Sequence, residues 1–122
     1  MTTIYKKIGG PEAVAAAVDI FYDRVMGDPV LAPYFEGTDM RRQKSHMRAF
    51  LASAIGGPEI YAGRDMHAAH AHLGVTNEAF DHVVEHLVAT LVSLDVPTEL
   101  IVAIGGKVEP LRAMVVAQRA AA

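Results

Sequence analysis

The sequence predicts an all-α fold in a single domain, residues 1–122, and three observations predict it. Apolar residues recur at a period of 3.6 over several long stretches. Glycine and proline pairs punctuate those stretches where helices should start and stop. No run alternates apolar and polar residues over the length of a convincing strand, and no segment repeats with a period of 20–50 residues. With 122 residues, 52% of them hydrophobic, one sizeable core is expected.

Each element follows in order. Thr2 or Thr3 can cap a short turn through Ile8, which Gly9-Gly10 ends. Pro11 opens a second helix, with Glu12 near its positive dipole end. Val14, Val18, Phe21, Tyr22 and Val25 form its inward stripe, and Gly27-Asp28-Pro29 stops it. Residues 29–37 read as irregular, yet they carry Tyr34 and Phe35. An apolar ring in a loop has to bury against something.

Thr38 or Asp39 caps a third helix that runs to Ile55, ahead of Gly56-Gly57-Pro58. Its inward set is Met40, Gln43, Met47, Phe50, Leu51 and Ala54, with His46 at the edge; Arg41, Arg42, Lys44 and Arg48 fall outside. A linker, 60–64, leads to a short helix over 65–74. Thr76 caps the next helix, Asn77 to about Leu94, which buries Phe80, Val83, Val84, Leu87, Leu91 and Leu94. Pro97 opens the last helix, with Leu100, Ile101, Ile104, Val108, Leu111, Val115 and Val116 inward. Gly105-Gly106 and Pro110 should bend it, and it frays into Ala120-Ala121-Ala122.

Composition excludes several function classes. The net charge of −3 is dispersed, so no basic patch argues for nucleic acid. There is no Cys, which rules out disulfides, iron–sulfur clusters and thiol catalysis. No apolar run nears the ~20 residues of a membrane span. Pro11, Glu12 and Asp19 break up any signal-peptide core, so a soluble, cytoplasmic protein is expected.

The chemistry concentrates in histidines. In the helix over 65–74 the apolar stripe is Met66, Ala69 and Leu73, and only His70 of its three histidines lies in that stripe. A core-facing imidazole needs a partner, either a backbone carbonyl or a buried metal. A zinc cluster of His67, His70 and His72 is disfavoured because the side chains diverge around the helix.

On the third helix, Gln43 on the apolar face and His46 beside it point to a polar cavity, since an unbonded buried polar group costs about 1–3 kcal/mol. His70 on one side, and Tyr22, Phe35, Gln43, His46 and Met47 on the other, make the arrangement a haem needs: a proximal imidazole and a hydrogen-bonding distal wall. A second pattern, His82-Val83-Val84-Glu85-His86, matches the H-x-x-E-H of a zinc-peptidase class. Its residues share a face with Glu78, Ala89 and Ser93, opposite the apolar stripe, so a solvated face is expected there.

The whole chain resembles the group I truncated haemoglobins, the two-over-two helical globins, and is closest in pattern to the cyanobacterial members. The motifs are Ile4-Tyr5-Lys6-Lys7-Ile8-Gly9-Gly10, Phe21-Tyr22-Asp23-Arg24-Val25, Tyr34-Phe35-Glu36-Gly37-Thr38-Asp39-Met40, Ile55-Gly56-Gly57-Pro58 and the His70 segment, in the family's order and spacing. The resemblance implies a two-over-two sandwich around haem b. His70 matches the proximal iron ligand. Tyr22, Gln43 and Met47 match positions that face the bound gas. Phe35, Thr38, Met40, Lys44, Tyr61, Met66 and Phe80 match haem-lining positions, with Lys44 and Tyr61 as propionate partners. The glycine pairs match hinges between helices.

His46 matches the distal histidine that binds iron in cyanobacterial and green-algal members, which implies bis-histidine coordination by His70 and His46 in the absence of gas. Position 47 is Met where Gln is common, and residues 111–122 contain no His for a covalent haem link, so the haem should be non-covalent. The resemblance implies binding of O2, NO and CO. Carriage of oxygen, NO dioxygenation and peroxidase-like activity are the open roles, with an unidentified reductase as partner and a monomer or weak dimer as the assembly. Two other readings compete: a small zinc-dependent hydrolase using His82, Glu85 and His86, and a cofactor-free helical interaction module with His70 merely satisfied in the core.

Overall fold

A computed structural model of the chain describes residues 3–57 and 73–116. Tyr61, Met66 and His70, with the linker and all of the predicted short helix but Leu73 and Gly74, lie outside the described residues; Leu73, expected in that helix's apolar stripe, is exposed. Residues 117–122, with the alanine end predicted to fray, lie outside them too.

Among the described residues every regular element is helical. The first helix, α1, spans Ile4–Ile8. Thr3 caps it, its hydroxyl accepting the Lys6 N–H at 3.2 Å. Gly9, at φ +120°, turns the chain directly into α2, Gly10–Met26. Pro11 sits in the first turn of α2 as predicted. Val14, Val18, Phe21, Tyr22 and Val25, the predicted inward stripe, are all buried, and Ala17 is buried with them.

The stretch read as irregular forms a 3₁₀ turn over Ala32–Phe35. Asp28 starts it: its carbonyl accepts from Leu31 and Ala32, and its Oδ1 accepts the Val30 N–H at 2.8 Å. Asp39, rather than Thr38, caps α3, Met40–Ala54, by accepting from the Arg41 and Arg42 N–H groups. The helix α4 spans Asn77–Ser93, capped by Thr76, whose hydroxyl accepts from Ala79 at 3.0 Å.

The last predicted helix is broken in two. The helix α5, Thr98–Val108, passes through Gly105-Gly106 without interruption. It ends at a 3₁₀ turn, Glu109–Leu111, before α6, Arg112–Val115. Pro110 removes a donor and crowds the turn before it, so the α-helical ladder gives way there to a 3₁₀ turn while the backbone stays helical on both sides. Gly105-Gly106 is therefore no hinge, unlike Gly9-Gly10. Leu94, expected inside, is only half-buried, because it is the residue at which α4 ends.

The centre of the packing is α2, which lies against α1, α3 and α4; α4 in turn carries α5 and α6. The joins are specific. The Tyr5 N–H donates to the Ile55 carbonyl at 3.0 Å, tying α1 to the end of α3. Gly57 sits so close that a Cβ there would lie 2.8 Å from Tyr5 Cδ1 and 2.9 Å from the Ala52 carbonyl. Arg112 stacks over the Phe80 ring at 4.6 Å and bonds Asp81, Glu109 and Asn77, fixing α6 onto α4. No helix of the described residues is long and apolar enough to cross a membrane.

Candidate functional site: a buried phenol–amide pair

The face of α2 toward α3 carries Tyr22, whose residue is 3% exposed. Packing places the ring. Phe21 meets it edge-on at 5.0 Å, and Phe35, from the 3₁₀ turn, meets it edge-on at 5.7 Å. That contact answers the question of an aromatic ring in a loop.

The polar end of Tyr22 is met from α3. Gln43 Nε2 donates to the Tyr22 hydroxyl oxygen at 3.0 Å. Because the phenol accepts this bond, its own hydrogen is free to be donated elsewhere, and among the described residues it has no acceptor. Burial pushes the Tyr22 pKa above its ordinary value, against a smaller lowering by the Gln43 bond, so the group stays a neutral O–H donor at physiological pH.

Met40 and Met47 are half-buried and pack against the core on the same side. This wall sets one phenol O–H and one amide among Phe35, Met40 and Met47, the mix of apolar lining and few polar groups that small-molecule and cofactor sites share.

The remaining predicted residues divide. Phe80 is buried beneath Arg112. Lys44 Nζ pairs with Asp19 at 3.4 Å, and Thr38 is exposed. His46 is exposed one helical turn beyond Gln43. Tyr61, Met66 and His70 lie outside the described residues.

The predicted zinc triad is corrected in two respects. Its histidines do not stand on a solvated face: their side chains are 30% and 17% exposed, and both turn to Asp28. His82 Nδ1 lies 2.8 Å and His86 Nε2 2.6 Å from the same Asp28 Oδ2. Glu85, the supposed base, is exposed and stands outside this cluster. The pattern therefore does not assemble the site a hydrolase would need.

The sequence marks Asp28 only as part of the stop after α2. It is a buried carboxylate, 9% exposed. The one hint in the sequence was the i, i+4 spacing of His82 and His86, which puts two imidazoles side by side.

The fold is a small all-helical domain, and its Tyr22–Gln43 pair lies where α2 faces α3. Comparison with known proteins defines the class. The family model for bacterial-like globins matches residues 3–117. The group 1 truncated hemoglobin GlbN of a Synechocystis species is 46% identical over 105 residues, covering 83% of this chain and 85% of that protein.

Among solved structures, the Tetrahymena pyriformis truncated hemoglobin in its Fe(III) form superposes with a TM-score of 0.92 at 36% identity, over 96% of this chain and all of that one. The 2/2 hemoglobin of a Synechococcus species, solved in the cyanomet state with covalently attached heme, gives 0.87 at 38% identity, over 93% and 95%. The chain belongs to the bacterial-like globin family, in its group 1 truncated haemoglobin branch. Membership implies haem binding, and with it the binding of diatomic gases such as O2.

Proposed function

We propose that this chain is a haem b protein that binds O2, NO and CO, with His70 as the proximal ligand and Tyr22 as the donor to the bound gas. The observation that carries the reading is the Gln43-to-Tyr22 hydrogen bond at 3.0 Å inside the wall formed by α2, α3 and Phe35. It fixes the phenol oxygen and leaves its hydrogen for a guest. In a pocket of low dielectric such a bond is worth about 1–3 kcal/mol.

Gln43 acts through Tyr22 by polarising the phenol. Met47 offers no hydrogen-bond donor, so it shapes the apolar side of the cavity. Phe35, Thr38, Met40, Met66 and Phe80 line the cofactor, and Lys44 and Tyr61 meet its propionates. Lys44 is held near that role by Asp19, a contact it can exchange for another carboxylate. Residues 111–122 contain no His, so the haem is held without a covalent link to that segment. His46 is exposed one helical turn from Gln43; it would be a second histidine holding the haem iron when no gas is present, and apparent gas affinity would then fall with the fraction of open sites.

When bound, haem supplies ferrous iron for gas binding and for oxidation of NO to nitrate by O2, which leaves ferric iron and so calls on a separate reductase. The test begins with haem titration of the purified apoprotein. One equivalent should give a Soret band with reversible O2 and CO spectra, and acid–butanone should extract all the pigment. The ferrous, gas-free protein should be low-spin, and His46→Ala should convert it to high spin. A colourless protein that takes up no haem would overturn the reading; a high-spin wild type would remove only His46.

A further inference from the structure

Two imidazoles and a carboxylate converge at a place the gas-binding role does not use. His82 and His86 stand one turn apart on α4. Asp28 reaches them from the corner after α2, 54 and 58 residues earlier in the chain. We propose that Asp28, His82 and His86 form a binding site for a divalent first-row transition-metal ion such as Zn2+, which fastens the end of α2 to α4.

The donor set is suited to such an ion: two neutral ring nitrogens and one carboxylate oxygen, with at least one coordination position left for water. The three ligand atoms lie within 4.8 Å of one another. Metal–ligand bonds of about 2.0–2.1 Å at tetrahedral angles set neighbouring donors about 3.3 Å apart. The present nitrogen–oxygen distances of 2.8 and 2.6 Å therefore have to open by roughly half an ångström, while the two ring nitrogens, within 4.8 Å of each other, have to settle at the same spacing. Partly exposed histidine side chains can supply that by small torsions.

The surroundings orient all three ligands. Asp28 Oδ1 is engaged by the Val30 N–H, which turns Oδ2 toward α4. The second nitrogen of His82, Nε2, lies 3.9 Å from the Glu78 carboxylate, the kind of outer partner that steadies a metal-bound imidazole. Among the described residues His86 Nδ1 is buried without a hydrogen-bond partner, and the ring's other nitrogen, Nε2, is aimed at Asp28. In the cluster as it stands a single oxygen serves both rings. An ion among the three groups would take over both contacts at once.

The site differs from a hydrolytic zinc centre: Glu85 is no part of it, and its role is to brace the fold. Zn2+ should be titrated calorimetrically into haem-loaded protein in chelator-treated buffer, with thermal unfolding followed at the Soret band. One equivalent should bind saturably and raise the unfolding midpoint. His82→Asn and His86→Asn, each with a normal Soret band, should weaken binding about tenfold or more and abolish the rise. Absence of stoichiometric binding to the wild type overturns the proposal. Affinity unchanged in either variant overturns it as well.

Discussion

Replacing Tyr22 by Phe removes one oxygen and leaves the ring in its packing between Phe21 and Phe35, at 5.0 and 5.7 Å. The fold should therefore persist. Gln43 is only half-buried, so its amide can turn to water once the phenol oxygen is gone. The main loss falls on the gas, which forfeits a donor worth about 1–3 kcal/mol, or about 5- to 150-fold in off-rate. Gln43→Leu removes only the bond that polarises the phenol. Cooperative strengthening of about 10–30% per bond puts that effect at fivefold at most. The assay is O2 displacement by CO from the ferrous protein, followed by stopped-flow absorbance. A Tyr22→Phe rate within twofold of wild type would refute the assignment of the hydroxyl. A larger effect for Gln43→Leu than for Tyr22→Phe would reverse the two roles.

Further predictions concern the frame. The two imidazoles hold the Asp28 carboxyl well below the usual range, and Asp28 raises His82 above its usual 6.5. Asp28 thus adds stability that is present above its unfolded value near 3.8 and is lost as pH falls toward its folded value. His82 adds stability that is full below 6.5 and is lost as pH rises through its folded value. In metal-free buffer the urea-midpoint gap between wild type and Asp28→Asn should be widest between pH 3.8 and 6.5, where both contributions are full, and a gap constant with pH would contradict the pairing. Gly57→Ala should destabilise the join of α1 and α3, because the added carbon would meet the Ala52 carbonyl and the Tyr5 ring. Gly106→Ala should do the opposite, by about 0.5–1 kcal/mol, since its Cβ would meet nothing within 4 Å inside a continuous helix. Both are read from urea unfolding. Leu91→Ala, at a fully buried position of α4, should cost about 2–5 kcal/mol by the same assay.

Most of the frame was legible because local chemistry marks it. Thr3, Asp39 and Thr76 cap the helices that follow them, and Pro11 stands in the first turn of α2. The stripe of α2 and the odd placement of Gln43 on an apolar face were also visible, and the two meet at one hydrogen bond. What escaped depends on the chain folding back on itself. Nothing near Asp28 in the sequence announces two imidazoles more than fifty residues away. A helical wheel assigned His82 and His86 to water because it knows one helix and not the corner packed against it. The contacts of Arg112 with Phe80, Asp81 and Asn77 on α4 also escaped, since they join residues 31 to 35 positions apart.

The central claim is that the imidazole of His70 holds an iron porphyrin opposite the Tyr22 hydroxyl. The most direct measurement is haem titration of His70→Leu beside wild type, with and without added imidazole. The account predicts that the variant loses stoichiometric uptake and the axial-histidine spectrum, and that free imidazole restores both in part. Uptake and spectrum identical to wild type without imidazole would contradict it.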